Sequence, residues 1–374
     1  MKVALITSHS LIKPGGVKRH ILGLKKEFKK KGIYSKIIAP RREKSENYGE
    51  DVILLGTSFP LIIGGTQADF VINFNPLAIG RVLKKEKFDV FHFHNFTFVS
   101  TWQILEKSKA LNVLTVHSDP EGSKFLSDSG LLALWRKIIG LKIDGLIGVA
   151  PLCLKGFENF QCPKAVIPNG IDLDEFNPRA KKIKRFIDGK INLLFVGRLE
   201  ERKGLIYLLR AYQELEQDFK NLRLLVVGQG PLKKECEEYV KKNGLKEVHF
   251  EGKKTNSELV SYYNSADIFV SPAIFGESFG IVFLEAMACG KPVVGFANKG
   301  YKEFLKDKKG GILAKNKDEK DLAKKIELLI KNPELRKEMG ERGRIEAQKY
   351  SWAKIAQRVL DFYQLCLEKK KLKN

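Results

Sequence analysis

Two carboxylates stand with seven residues between them in SADIFVSPAIFGESFGIVFLEAMACGKPVVGF, residues 265–296: Glu277 in a polar, glycine-bearing loop and Glu285 in an apolar segment. The neighbours of Glu285 are Phe283, Leu284, Ala286, Met287 and Ala288. A helix apolar nearly all round is expected to be buried, and a buried carboxylate without a partner is costly. Something polar must therefore meet Glu285: an arginine or backbone amide of the protein, or a ligand. Glu277 precedes a helix N-terminus, where free N–H groups favour phosphate; on a plainer reading it only caps that helix. Upstream, Arg198, Arg202 and Lys203 follow an apolar run, Asn192–Val196. Cations at a strand's carboxyl end, just before a helix, outline a phosphate site, although Arg202 reads as ordinary surface charge. Gly15-Gly16 and Gly228-Gln229-Gly230 occupy equivalent strand-to-helix turns, where a ligand can approach the backbone closely. His92, His94 and Asn95 end one strand and His117 ends the next, so polar groups converge on one sheet edge. The H-x-H pair has the donor type of a metal site, but the sequence names no third ligand.

These residues need elements to hold them. Ile268–Val270 reads as a buried parallel strand. Phe279–Ala288 reads as a helix closed by Cys289-Gly290 with Pro292 beyond, and Pro292–Phe296 as the following strand, completing one parallel crossover. The same alternation runs along the whole chain. Strands are expected over Val3–Thr7, Tyr34–Ala39, Val52–Leu55, Asp89–His94, Val113–His117, Leu146–Val149 and Ala165–Pro168. A helix over Val17–Lys31 presents Ile21, Leu24 and Phe28 on one face, and Pro76–Lys85 reads as another. After the turn-rich Ile167–Asp172 the pattern restarts with strands at Asn192–Val196, Leu222–Val227 and Val248–Glu251, a helix at Glu258–Asn264, and an edge strand at Gly311–Leu313. Helices close the chain over Glu319–Ile330, Leu335–Gln348 and Ser351 to about Lys369. The expected fold is α/β, with two doubly wound, Rossmann-like halves facing across a cleft. The halves are residues 1–170, whose first-half sheet is expected to be parallel, and 171–351, with the helix of about 352–374 packing back on the first. A ligand is expected between them.

Composition narrows the class. The 374 residues carry a formal charge of +23 and 43% hydrophobic residues, which is ordinary for a globular core. Five scattered cysteines without a C-x-x-C pair point to a reducing compartment. No secretory signal is read at the N-terminus, and no run reaches the ~18 apolar residues that span a bilayer. A cytoplasmic location is expected. The positive charge suits a polyanionic surface or a heat-stable, Lys/Glu-rich chain. No nucleic-acid module is recognisable, so nucleic acid is not expected as a partner. Two basic amphipathic stretches, Lys18–Lys31 and Ser123–Lys142 with Trp135, are core helices or interfacial ones. A dehydrogenase reading fails because G-x-G-x-x-G is missing at the first strand–helix turn.

Taken in order, Gly15-Gly16-Val17, Thr115–Asp119, Ile167–Asp172, Gly197-Arg198…Lys203-Gly204 and Glu277-Ser278-Phe279-Gly280…Glu285-Ala286-Met287-Ala288 resemble the motifs of the retaining family 4 glycosyltransferases of the GT-B fold. The resemblance covers nearly the whole chain. It implies a metal-independent hexosyltransferase in which Arg198 and Lys203 neutralise the donor's diphosphate. The helix start at Ser278, Phe279 and Gly280 assists, with Gly15, Gly16 and Gly228 also on the donor side. Glu277 would bind hydroxyls of the donor sugar, Glu285 the ribose, and His117 would lie near the sugar. Such fixed cations are each worth roughly 3 kcal/mol in the transition state. Acceptor contacts would fall to His9, Lys13, His94, Asn95 and Asp119. Within the family, SHSLIKPGGVKRHILGL, the stretch Phe74–Lys85 before FDVFHFHN, and the basic segment after His117 are most similar to phosphatidylinositol mannosyltransferases. That implies GDP-mannose as donor, no cofactor, a lipid-linked acceptor, and a peripheral place on an anionic membrane, each nearby Lys adding about 1 kcal/mol. His9 departs from the aromatic hydroxyl expected there, and the Arg198–Lys203 loop is one residue shorter. The alternatives are a UDP-sugar donor with a lipopolysaccharide or soluble glycan acceptor, and a non-catalytic basic membrane- or nucleic-acid-binding protein.

Overall fold

In a computed structural model the chain divides into two α/β units, Met1–Gly170 with Trp352–Asn374, and Ile171–Ser351. The structure describes residues 1–12, 15–63, 66–72, 76–95, 100–119, 137–306 and 310–372.

The first unit is built on an eight-stranded sheet. Its strands are β1 (Lys2–Thr7), β2 (Tyr34–Arg41), β3 (Val52–Ile63), β4 (Thr66–Ile72), β5 (Val90–His94), β6 (Leu111–Val116), β7 (Gly145–Gly148) and β8 (Lys164–Val166). Their order is β4-β3-β2-β1-β5-β6-β7-β8. All neighbours are parallel except β3 and β4, which form an antiparallel pair. The expectation of a uniformly parallel sheet is corrected there. Val52–Leu55 is only the start of a twelve-residue strand. Pro60 and the flanking glycines disguise its second half. Pairing with β2 stops at Arg41↔Thr57, so Pro60 sits where one edge of β3 needs no donor.

Helix α1 (Gly16–Lys30) turns Ile21, Leu24 and Phe28, all without solvent exposure, onto the sheet. Burial of each contributes about 2 kcal/mol. The same cluster takes in Ile355, Val359 and Tyr363 of the C-terminal helix Trp352–Lys371, which thereby belongs to the first unit. Helices α2 (Pro76–Glu86) and α3 (Ser100–Lys107) complete the described helical layer.

The second unit holds six parallel strands, β9 (Ile191–Val196), β10 (Leu222–Val227), β11 (Val248–Gly252), β12 (Ile268–Ser271), β13 (Val293–Phe296) and β14 (Gly311–Ala314). Their order is β11-β10-β9-β12-β13-β14. The central strands are mainly apolar, as strands covered on both faces require, whereas the edge strand β11 carries His249 and Glu251 and is only half-buried. The helices are α4 (Leu205–Asp218), α5 (Lys233–Lys242), α6 (Asn256–Ser265), α7 (Ile281–Ala288), α8 (Lys299–Leu305), α9 (Glu319–Lys331) and α10 (Pro333–Ala347). The C-terminal helix is α11. Helix α6 starts two residues earlier than its hydrophobic pattern suggests, because Thr255 and Glu258 form a capping box. Helices α3, α5 and α8 were not anticipated; the last two are short and largely polar in pattern.

Strand order decides where ligands can go. It reverses between β9 and β12 in the second unit and between β1 and β5 in the first. The loops leaving those paired strands diverge and open a crevice at their carboxyl ends. The loops carrying Arg198–Lys203 and Glu277, and those carrying Gly15-Gly16 and Asn95, are the loops at these two points.

At the amino end of β10, Arg223 is 4% exposed and meets Asp188 at 2.5 Å and Glu247 at 3.1 Å. Lys190 reaches Glu247 at 2.5 Å. The hydrogen bond from Lys190, aided by those from His249 and Arg223, holds the Glu247 carboxyl down at about 2. A depressed carboxyl stabilises the fold above its unfolded pKa and loses that contribution as pH falls through the folded value. Glu247→Gln is therefore expected to flatten the acid limb of urea-unfolding stability between about pH 4.5 and 2. The change, discounted for solvent screening, is about 1 to 2 kcal/mol.

Candidate active site

The switch point of the second unit gathers charge. β9 ends at Val196, and a tight loop through Glu201–Lys203 leads into α4. β12 ends at Ser271, and its loop runs through Glu277 to α7. The two loops are stitched by a hydrogen bond from the Ile274 N–H to the Arg202 carbonyl, 2.9 Å. Lys203 Nζ forms an ion pair with Glu277 Oε1, and Arg202 Nη1 lies 3.2 Å from the same oxygen. Arg202, expected as surface charge, is instead only 23% exposed in its side chain and also meets Glu200 at 2.5 Å. Arg198 lies 3.4 Å from Glu200 with its side chain half-exposed. The buried Glu200 oxygens take these as charge contacts rather than aligned hydrogen bonds. Three cations thus face two carboxylates, and the excess is positive. Gly228 ends β10 on this edge, its N–H bonded to the Gly252 carbonyl at 2.9 Å.

Helix α7 begins at Ile281 rather than Phe279. Gly280 adopts φ 78°, ψ 50° and breaks the helical path there, a left-handed turn glycine enters without strain. Phe279 consequently swings into an aromatic cluster, 5.2 Å from Phe304 and 5.8 Å from Tyr350 between ring centres. Ser278 beside it is buried. Glu285 is 1% exposed, and Tyr263 Oη–H donates to its Oε2 at 2.7 Å. One protein partner is thus a phenol from α6, which the sequence did not suggest. Tyr263→Phe removes a hydrogen bond from a buried carboxylate. The expected cost is about 1 to 3 kcal/mol, read as a lower thermal midpoint.

In the first unit, β5 and β6 place His94 and His117 side by side, with His94 Nδ1 and His117 Nε2 3.2 Å apart. The His117 N–H donates to Asn95 Oδ1 at 3.0 Å, and Asn95 itself holds φ 58°. His92 bonds Thr115 Oγ1 at 2.6 Å and the Tyr363 hydroxyl of α11 at 2.7 Å. The sequence missed His20. It lies on the buried face of α1 next to Ile21, with Nδ1 2.8 Å from Asn169 Oδ1. A histidine on an apolar stripe was the available signal. Burial holds His20 down at about 4 and pushes His92, His94 and His117 well below the usual imidazole range. Gly15 and Gly16 start α1 with open space above them. The His9 N–H donates to Thr7 Oγ1 at 3.0 Å, and Asp119 is half-buried two residues past His117. Lys13 lies outside the described residues, as do residues 120–136 of the Ser123–Lys142 stretch. Leu141, within its described part, is 83% exposed. In Lys18–Lys31, Lys25 is tied to Ser35 and Asp51 and Lys31 to Gln357, while Lys26 and Lys29 stay exposed. No described helix is long and apolar enough to cross a membrane.

Two family models match: glycosyltransferase family 4 over residues 14–175 and glycosyl transferases group 1 over 176–346. The phosphatidyl-myo-inositol mannosyltransferase of Mycobacterium leprae is 31% identical, covering 97% of this chain and 96% of its own. An uncharacterized glycosyltransferase of Methanocaldococcus jannaschii is 30% identical over 78% of this chain and 79% of its own. The chain belongs to the family 4 glycosyltransferases. Its two α/β units match GT-B structures along nearly the full chain. Sucrose-phosphate synthase of Thermosynechococcus elongatus has TM-score 0.79 at 21% identity, covering 98% of this chain and 99% of that one. Anabaena HepE in complex with UDP has TM-score 0.76 at 18% identity, covering 97% and 100%.

Proposed function

We propose that the protein is a retaining, metal-independent hexosyltransferase that moves mannose from GDP-mannose to a lipid-linked acceptor such as phosphatidylinositol. In this reading residues 171–351 bind the donor and residues 1–170 the acceptor. The observation that carries the reading is the pairing of Lys203 and Arg202 with Glu277 where the second sheet reverses its strand order. With no donor the cations and the carboxylate neutralise one another. A diphosphate entering at the N-terminus of α4 draws Lys203 and Arg198 to itself and releases Glu277 to accept hydroxyl hydrogens from the sugar. Negative charge that develops on the leaving phosphate then meets cations already in place, with no reorganisation to wait for. Glu285 takes the ribose hydroxyls, and Gly228 and the Ser278–Gly280 turn let the nucleotide lie close to the backbone. Gly15 and Gly16, with open space above them at the start of α1, are assigned to donor binding as well. His117 faces the sugar, while His9, Lys13, His94, Asn95 and Asp119 frame the acceptor.

The lipid acceptor is supported by the relatives named phosphatidyl-myo-inositol mannosyltransferase, by the +23 charge, and by exposed Lys26, Lys29 and Leu141. These favour a peripheral place on the cytoplasmic face of an anionic membrane. The test offers GDP-mannose, UDP-glucose and UDP-N-acetylglucosamine separately, each with phosphatidylinositol vesicles, and reads released nucleotide and glycolipid by mass spectrometry. Mannolipid formed from GDP-mannose alone is the expected result. Nucleotide released from a UDP-sugar without lipid product would replace donor and acceptor together.

A further inference from the structure

We propose that His20, His94 and His117 bind one divalent transition-metal ion of the zinc or cobalt class, through one ring nitrogen from each. The H-x-H strand lacked a third ligand in the sequence, and the fold supplies it from α1. One nitrogen from each of the three rings lies within 4.8 Å of the other two. His94 Nδ1 and His117 Nε2, at 3.2 Å, already match an edge of a tetrahedral zinc site, about 3.3 Å for Zn–N bonds of about 2.0 to 2.1 Å. Closing the site asks the remaining ring to draw in by up to about 1.5 Å, within the reach of side-chain torsions.

The rings are prepared for it. His20 Nδ1 faces a carbonyl oxygen of Asn169, so it carries the hydrogen and Nε2 is left as a bare lone pair. This is how ligating histidines are oriented by an outer partner. His20 Nε2 is buried and has no hydrogen-bond partner among the described residues. An unpartnered buried nitrogen atom is costly, and a cation is the occupant that a lone pair satisfies best. An all-imidazole set favours zinc, cobalt, nickel or copper over magnesium or calcium. Three protein ligands leave a fourth position for water or a substrate oxygen, and His117, only half-buried, marks the side from which it enters.

Uptake of the ion does not depend on the transfer reaction. If His117 has the sugar-side role given above, loading the site competes with it, and transfer falls until a chelator restores it. The experiment strips the untagged full chain with a chelator and titrates it with Co²⁺ and Zn²⁺. It reads bound metal per chain and the visible absorption of tetrahedral Co²⁺. One ion per chain is expected, with affinity lowered at least 100-fold in His20→Gln and His94→Gln and unchanged in His249→Gln of the second unit. Where a histidine variant loses its native circular dichroism, Asn169→Ala decides, with an expected loss of 10- to 100-fold. No uptake at micromolar ion, a Co²⁺ spectrum that survives His20→Gln or Asn169→Ala, or equal competition by Mg²⁺ would overturn the site.

Discussion

Lys203→Ala is expected to lower kcat/KM for transfer by about 10²- to 10³-fold, the usual cost of removing one preorganised group from a developing oxyanion. The side chain is 14% exposed and its charge is held against Glu277. Without it, Glu277 retains Arg202 at 3.2 Å, so the fold is expected to change little while the diphosphate loses a fixed cation. The split between constants is diagnostic. A cation that acts mainly on the leaving group lowers kcat, whereas one that only holds the donor raises KM. Lys203→Arg keeps the charge but spreads it over a planar fork, and is expected to recover only part of the rate. Steady-state kinetics on purified variants checks this, and a loss under threefold would remove Lys203 from the reaction.

The second large effect is structural. A Cβ added to Gly300, in the first turn of α8, would lie 1.9 Å from the Glu277 carbonyl oxygen, 2.6 Å from its carbon and 3.2 Å from the Ser278 nitrogen. Every obstacle is backbone, so no side-chain rotation relieves it. Gly300→Ala must push the Glu277 loop away from α8. The expected cost is about 3 kcal/mol, seen as a fall of roughly 10 °C in the thermal midpoint. Transfer is expected to drop with it even at temperatures where the protein stays folded, because a displaced Glu277 no longer meets Lys203. Gly80→Ala is the control: it lies within α2 with nothing within 4 Å of its would-be Cβ. It is expected to be neutral or slightly stabilising. A Gly300→Ala protein with unchanged midpoint and rate would mean that α8 does not support the site.

The amino-acid sequence by itself determined the alternation of strand and helix, because a strand covered on both faces must be a short continuous apolar run. The central strands β1, β9, β10, β12 and β13 are such runs for most of their length, while β5 and β6 are interrupted by His92, His94, Asn112 and Thr115. It also determined that Glu285 is buried and that Arg198, Lys203 and Glu277 lie near helix starts, since those follow from neighbours a few residues away. Where local signals conflicted, as at Pro60 and the glycines of the β3–β4 hairpin, the pattern stopped short and pairing with a partner strand decided.

Which groups face one another was decided only by the tertiary structure. Tyr263 reaches Glu285, Arg202 and Lys203 reach Glu277, Gly300 supports the Glu277 loop, and His20 joins His94 and His117. Periodicity tells which side of an element is buried but not what stands opposite. That is fixed within each unit by the order of strands in its sheet: β9 beside β12 brings the charged loops of the second unit to one another, and β1, β5 and β6 side by side bring together the histidines of the first.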